Sequence, residues 1–106
     1  MQRQGRGLIT EASPPSADVR HDAAARRFTI DVDGAPAVLE YREIDAQTLD
    51  YYRTFVPAPL RGCGIASRLT DAALRYARDR QLNVIPTCPF IAAYIKRHRE
   101  FQPLVR

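Results

Sequence analysis

The sequence predicts a mixed α/β (α+β) fold in which a mainly antiparallel sheet feeds a strand, a loop and a helix. Three observations carry this reading. Residues 18–56 alternate apolar and polar positions in short runs separated by turn residues, the period of half-buried strands. Residues 65–80 instead place Ile65, Leu69, Ala72, Ala73, Tyr76 and Ala77 at helical spacing, with Arg68, Asp71, Arg75, Arg78 and Asp79 on the other face. Between them the run RGCGIA, residues 61–66, joins strand to helix.

The elements follow in order. Residues 1–17 mix Gly, Gln, Ser and Pro around one apolar pair, Leu8 and Ile9, too little burial to offset the entropy of ordering, so a mobile tail is expected there and one domain over 18–106. A first short strand covers 18–21. In a second, Phe28, Ile30 and Val32 alternate with polar neighbours, and Asp33-Gly34 is a hairpin turn signal. The third, 37–43, sets Leu39 and Tyr41 on one face and Val38, Glu40 and Arg42 on the other; Ile44, Asp45 and Ala46 then turn the chain. The fourth, 48–56, is expected to face Leu49, Tyr51, Arg53 and Phe55 one way and Asp50, Tyr52 and Thr54 the other. After the helix, 82–86 forms a fifth strand, laid parallel to the fourth by the helical crossover and ended by Pro86. Pro89 starts a second helix carrying Ile91, Tyr94 and Ile95, and 101–105 closes against the sheet.

The loop sits at a helix N-terminus, where the first backbone N–H groups lack intrahelical partners and the helix dipole is positive. Gly62 and Gly64 keep side chains out of the way and Arg61 adds a fixed positive charge, so the loop suits a phosphate. Two familiar phosphate loops are excluded. No Lys-Ser or Lys-Thr pair follows the second glycine, as a Walker A loop requires. The dinucleotide fingerprint wants a glycine or alanine where Ser67 stands and an acidic residue about 20 positions on, where Val84 and Ile85 bring none.

At these residues the chain resembles the GCN5-related N-acetyltransferases, in their small, minimal branch. The loop fits the family's Q/R-x-x-G-x-G/A signature, with Arg61, Gly64 and Ala66 at its fixed positions. A strand ending in Val56-Pro57 precedes it and VIPTCPFIAAYIKRH, residues 84–98, follows; the likeness spans roughly 18–101. The resemblance implies acetyl-CoA or coenzyme A as cofactor, its pyrophosphate wrapped by the N–H groups of Gly62, Cys63, Gly64, Ile65 and Ala66 with help from Ser67 and Arg68. It implies a pantetheine arm inserted where the fourth and fifth strands splay, between Val56 and Pro86, and an oxyanion donor at a main-chain N–H near Val56. The chain departs from the family in one respect. The two helices that usually follow the first strand have no room, because 18–43 reads as hairpin, and the acceptor pocket is correspondingly reduced.

Acetyl transfer from a thioester to an amine also needs an acid for the departing thiolate. Tyr94 is the candidate, on the helix after the fifth strand; the other reading is a core aromatic sharing a face with Ile91 and Ile95. Cys88 lies where the thioester should arrive, close to the N-terminus of the second helix, where negative charge is favoured. It accepts acetyl covalently or lines the thiol site; lining is preferred, since no histidine pairs with it as a base. Glu40, Glu43, Glu100 and His98 are weaker candidates, each readable as a solvated side chain.

Composition bounds the rest. A chain of 106 residues, 45% of them apolar, makes one ordinary globular core, and no run reaches membrane-span length. The net charge of +4 is scattered except at Lys96, Arg97, His98 and Arg99, and a polyanionic cofactor accounts for it as well as RNA would. Nucleic acid is not the expected partner, because no aromatic stacking set lies on one strand. Two cysteines, Cys63 and Cys88, make neither a disulfide framework nor a metal site, and with no secretory segment at the start the expected compartment is cytoplasmic. The expectation is an N-acetyltransferase acting on an amine acceptor, small molecule or protein, off the membrane and as a monomer or weak dimer. The alternative is a coenzyme A binding module with little catalysis.

Overall fold

A computed structural model describes residues 18–32 and 34–106; the expected tail over 1–17 and Asp33 of the expected turn lie outside the described residues. Strands β1 (Arg20–Asp22), β2 (Arg27–Val32), β3 (Ala35–Asp45) and β4 (Thr48–Phe55) form an antiparallel meander, and β5 (Asn83–Ile85) adds on parallel to β4, in the order β1-β2-β3-β4-β5. Helix α1 (Ile65–Asp79) is the crossover between β4 and β5, and α2 (Pro89–Arg97) follows β5. Gly34 takes φ +80° in the turn between β2 and β3, its N–H donating to Asp31 Oδ1 at 2.9 Å.

One face of the sheet is covered. Phe28, Ile30, Ala37, Leu39, Tyr41, Leu49, Tyr51 and Val84 from the strands pack with Ile65, Leu69, Ala73, Leu74 and Ala77 of α1 and Ile91, Tyr94 and Ile95 of α2. The buried Tyr51 hydroxyl is satisfied by donating to the Ala73 carbonyl at 2.6 Å, which pins β4 to α1. On the other face lie Val38, Glu40, Arg42, Asp50, Arg53 and Phe55, tied by Arg53 to Glu40 at 2.7 Å and by the Arg42 guanidinium 4.2 Å from the Tyr52 ring centroid. Val38 is buried yet stands outside the core cluster, as expected of a residue on this second face.

Three expectations are corrected. Along β4 the simple alternation fails: Tyr41 pairs with Tyr51 but Glu40 with Arg53, so Tyr52 is an extra, bulged residue. Beyond it the faces exchange, and Thr54 points to the core side while Arg53 and Phe55 point away. The turn into β4 is Ala46-Gln47 rather than 44–46, because β3 absorbs Ile44 as a second irregularity and runs on to Asp45. Asp71, expected on the solvent face of α1, is buried.

Strands β4 and β5 pair over three positions only, Thr48 with Asn83, Leu49 with Val84 and Asp50 with Ile85. Past that point the chain after β5 breaks into a Pro86 to Cys88 connection, and β4 runs on, still paired with β3, with no strand on its β5 side among the described residues. The parting of the two strands expected between Val56 and Pro86 is therefore present in the backbone.

Candidate functional site

The loop before α1 has the backbone its glycines permit. Gly62 and Gly64 both sit at positive φ, +84° and +78°, and Gly64 is the residue that caps the helix. A left-handed cap turns the chain so that the next amides point outward, and no side chain caps them. The first helical bond runs from the Arg68 N–H to the Gly64 carbonyl at 3.1 Å, leaving the amides of Ile65, Ala66 and Ser67 at the open end. Arg61 folds back across the loop, its Nε donating to the Val56 carbonyl at 2.9 Å, and so binds the end of β4 to the loop.

These parts enclose a pocket of about 260 Å3 lined by Val56, Leu60, Arg61, Gly62, Gly64, Ile65, Ala66, Ser67 and Phe90. Its floor is apolar and its rim is the helix N-terminus with one guanidinium. Seven of the eight cofactor residues expected from the sequence line it; the exception, Cys63, is exposed in the same loop. Phe90 was missed: it follows Pro89 at the start of α2, and nothing in its sequence position says that α2 reaches the loop.

Cys88 is buried at the N-cap of α2. Its N–H donates to the Tyr51 carbonyl at 3.0 Å, closing the apex where β4 and β5 part, and its Sγ lies 3.5 Å from Thr54 Oγ1. Thr54 reaches Cys88 only because of the bulge at Tyr52, which is why the regular alternation read from sequence concealed it. The next residue back, Thr87, projects the other way and donates from Oγ1 to Asp50 Oδ1 at 2.5 Å.

Tyr94 is placed differently. Its hydroxyl donates to Asp71 Oδ1 at 3.3 Å, and Arg75 Nε donates to the second carboxylate oxygen at 2.7 Å. Burial first, then the Asp71 charge, push the Tyr94 hydroxyl up to about 12, so it holds its proton through the neutral range. The His98 ring stacks on Tyr94 at 3.8 Å and its Nδ1 donates to the Tyr94 carbonyl at 2.8 Å. Tyr94, His98, Asp71, Arg75, Ser67, Arg68 and Glu100 line a second, outer pocket of about 460 Å3, joined to the loop through Ser67. Arg68 also contacts Asp18. Tyr94 is thus a core aromatic whose hydroxyl is held by a buried carboxylate. Asp71 was missed because a carboxylate four residues before an arginine reads as a solvated helix pair.

Glu40 is engaged with Arg53 on the neighbouring strand and Glu43 with Arg26 in the turn between β1 and β2, and His21 bonds Tyr41 beside Phe28 and Tyr76. Among the described residues no group of acidic, histidine and cysteine side chains could hold a metal ion, and no helix is long and apolar enough to cross a membrane.

The family model described as GCN5-related N-acetyl-transferase matches residues 27–104. The chain belongs to this family. Among curated relatives, Protein NATD1 of Xenopus tropicalis is 33% identical over 94 residues, covering 85% of this chain and 86% of that protein. Protein NATD1 of Gallus gallus is 35% identical over 94 residues, covering 87% and 84%. The human Protein NATD1 is 37% identical over 82 residues, covering 76% and 73%. A Staphylococcus aureus protein solved by NMR and described as GCN5-like superposes with a TM-score of 0.67 over 86% of this chain and 89% of that one, at 24% identity. That last likeness is one of fold. Acetyl transfer is thereby the general activity of the family, carried here on a sheet with hairpins where acceptor-side helices would stand.

Proposed function

We propose that the protein is an acetyl-CoA-dependent N-acetyltransferase, with acetyl-CoA held between the α1 loop and the split of β4 and β5. The observation that carries the reading is the loop: the amides of Ile65, Ala66 and Ser67 after a left-handed Gly64, with Arg61 beside them, meet an apolar lining of Val56, Leu60 and Phe90. A pyrophosphate suits the amides and an uncharged pantetheine arm suits the floor and the free edge of β4. Acetyl-CoA supplies the activated acyl group.

What the chain's own residues do follows from their contacts. The loop fixes the donor, which supplies the largest part of the rate advantage through positioning. Cys88 and Thr54, side by side, line the sulfur end, and Cys88 is covered well enough to exclude bulk water. The neutral amine adds to the thioester carbon, a C–N bond forms, the C–S bond breaks, the nitrogen's surplus proton passes through solvent to restore the acid, and the departing thiolate takes up a proton from that acid. Tyr94, which keeps its proton, is the candidate source of that proton, relayed from a hydroxyl now bonded to Asp71.

That same bond favours a second reading, a coenzyme A binding module: a hydroxyl committed to Asp71 is not free for the sulfur. Calorimetric titration with acetyl-CoA, coenzyme A and ATP tests the cofactor that both readings share, and an acetylation assay over a panel of amines separates the two. The expected result is one-to-one binding of both coenzyme A forms and none of ATP. Gly64→Val, which finds open space but forces a branched residue into the left-handed region, should lower affinity at least tenfold while the fold persists. Unchanged affinity in that variant removes the loop assignment. Binding without acetylation of any amine in a broad panel establishes the second reading.

A further inference from the structure

The N-terminus of α1 already meets an anion, and the anion comes from the chain itself. The helix has no acidic residue in its own first turn and no side-chain cap, so neither local means of balancing its positive end is used. Asp18 supplies the charge from 50 residues away: its carboxylate contacts the Arg68 guanidinium, on the residue that follows the loop amides. Ser67, beside Arg68, lines both the loop pocket and the outer pocket, so this ion pair stands where the two meet.

Asp18 is the end of a short arm. It lies just before β1, a strand of 3 residues at the edge of the sheet, paired with β2 alone among the described strands. The arm is anchored at His21, whose Nε2 lies 2.6 Å from the Tyr41 hydroxyl and whose ring stacks on Phe28 at 4.2 Å and meets Tyr76 edge-on at 4.4 Å. These contacts lay the arm along α1. Arg68 and Tyr76 are about 12 Å apart on the helix axis, and extended chain from Asp18 to His21 spans about 10 Å, so each end of the arm meets its own helix residue. His21 is the fixed point, and Asp18 is the end that can leave. Both side chains of the Asp18–Arg68 pair are a third or more exposed, and so exposed a pair is weak enough to yield to a phosphate, which carries more charge and more acceptor oxygens.

We propose that Asp18 is a built-in competitor for the cofactor: without cofactor its carboxylate holds Arg68, and a phosphate of coenzyme A takes over that guanidinium and releases the segment before β1. The proposal rests on the acetyl-CoA reading and adds a regulation to the same site. Asp18 then has two opposed effects. It lowers cofactor affinity, because its pair with Arg68 is broken before a phosphate can take the guanidinium. It stabilises the protein without cofactor, because a negative charge at the start of α1 is favourable. Filling of the site is thereby passed to the N-terminal arm, which moves ahead of His21 and stays in place after it.

The test is calorimetric titration of coenzyme A into the native chain, Asp18→Asn, Arg68→Gln and the double variant, with an amide NMR spectrum of each to verify the fold. Asp18→Asn should bind about threefold more tightly at low salt. It should do so although it melts at a lower temperature, whereas a residue that only supports the fold would lower affinity and melting temperature together. At about 0.5 M salt, where exposed charges are screened, the gain should disappear. In the Arg68→Gln background the same substitution should bring no gain. Coenzyme A should also shift the Val19 amide of the native chain and leave that of Asp22, beyond the anchor. Unchanged or weaker binding by Asp18→Asn, or an equal gain without Arg68, overturns the proposal. If coenzyme A binds none of the four proteins, the cofactor reading falls, and the proposal is judged with inorganic pyrophosphate instead. Its shifts at the Ile65, Ala66 and Ser67 amides should then saturate at lower concentration in Asp18→Asn than in the native chain, and equal titrations or no response overturn it.

Discussion

Tyr94 joins packing to chemistry through one hydroxyl. Stacked on His98 and bonded to the buried Asp71, it stabilises the contact between α2 and α1 and holds a proton close to the outer pocket. Tyr94→Phe keeps the ring and loses the bond, so about 1–2 kcal/mol of stability should go, because Asp71 stays buried with Arg75 as its remaining partner. The pH dependence has a definite sign. The folded value is pushed up to about 12 from the ordinary tyrosine value of 10.0, so between those limits the unfolded chain releases this proton while the folded chain keeps it. Stability therefore falls with rising pH across that window, and below it the contribution is fully present. Thermal melts from pH 9 upward should decline less steeply in Tyr94→Phe than in the native chain. Equal slopes would mean that the hydroxyl is not held by Asp71 in solution. Turnover, where measured, should fall in the same variant while acetyl-CoA affinity does not, if the hydroxyl protonates sulfur.

The bulge in β4 is the element on which the site turns. Tyr52 is the extra residue, and it bends the strand just where β5 leaves it. Deleting Tyr52 would restore a regular ladder without disturbing which residues face the core, since Tyr51 already pairs with Tyr41 and Arg53 with Glu40. The deletion variant is thus expected to fold, with its melting temperature lowered by no more than about 10 °C. The strand should straighten toward β5 and acetyl-CoA affinity should drop at least tenfold. Circular dichroism and calorimetry on one sample decide it, and retained affinity would show that the split does not depend on the bulge. The same residue marks the limit of what sequence could tell. Helix α1, the loop glycines and the hairpins were legible because periodicity and turn residues act locally. The meaning of Thr54 was not, since one inserted residue exchanges the two faces of a strand and no local signal announces it. Asp71 was hidden for a related reason: its burial comes from α2 arriving over it, a contact between residues 23 apart.

At the scale of the molecule, the sheet is a continuous antiparallel body with one short parallel strand at its working edge. β5 has three residues, held on one side by β4 and on the other by Val105, which bridges to Val84 in parallel. The Arg106 N–H donates to the Val84 carbonyl at 3.0 Å, and its guanidinium reaches Asp45 at 3.2 Å and the buried Thr48 hydroxyl, so the segment after α2 returns to clamp β5 onto the start of β4. A strand this short adds little pairing of its own, and the clamp is what keeps its far end from peeling away. Phe101, fully buried beneath α1 and α2, anchors the return. Truncation after Leu104 should remove the bridge, the backbone bond and the Arg106 contacts, a loss of about 1–2 kcal/mol. For a domain of this size that is a fall of roughly 5–15 °C in melting temperature. Acetyl-CoA affinity should fall with it, because Cys88 is positioned by the chain that leaves β5 and the apex of the split moves when β5 does. A lowered melting temperature with unchanged affinity would show instead that the Cys88 to Tyr51 bond alone holds the apex, and that the clamp serves stability without shaping the site.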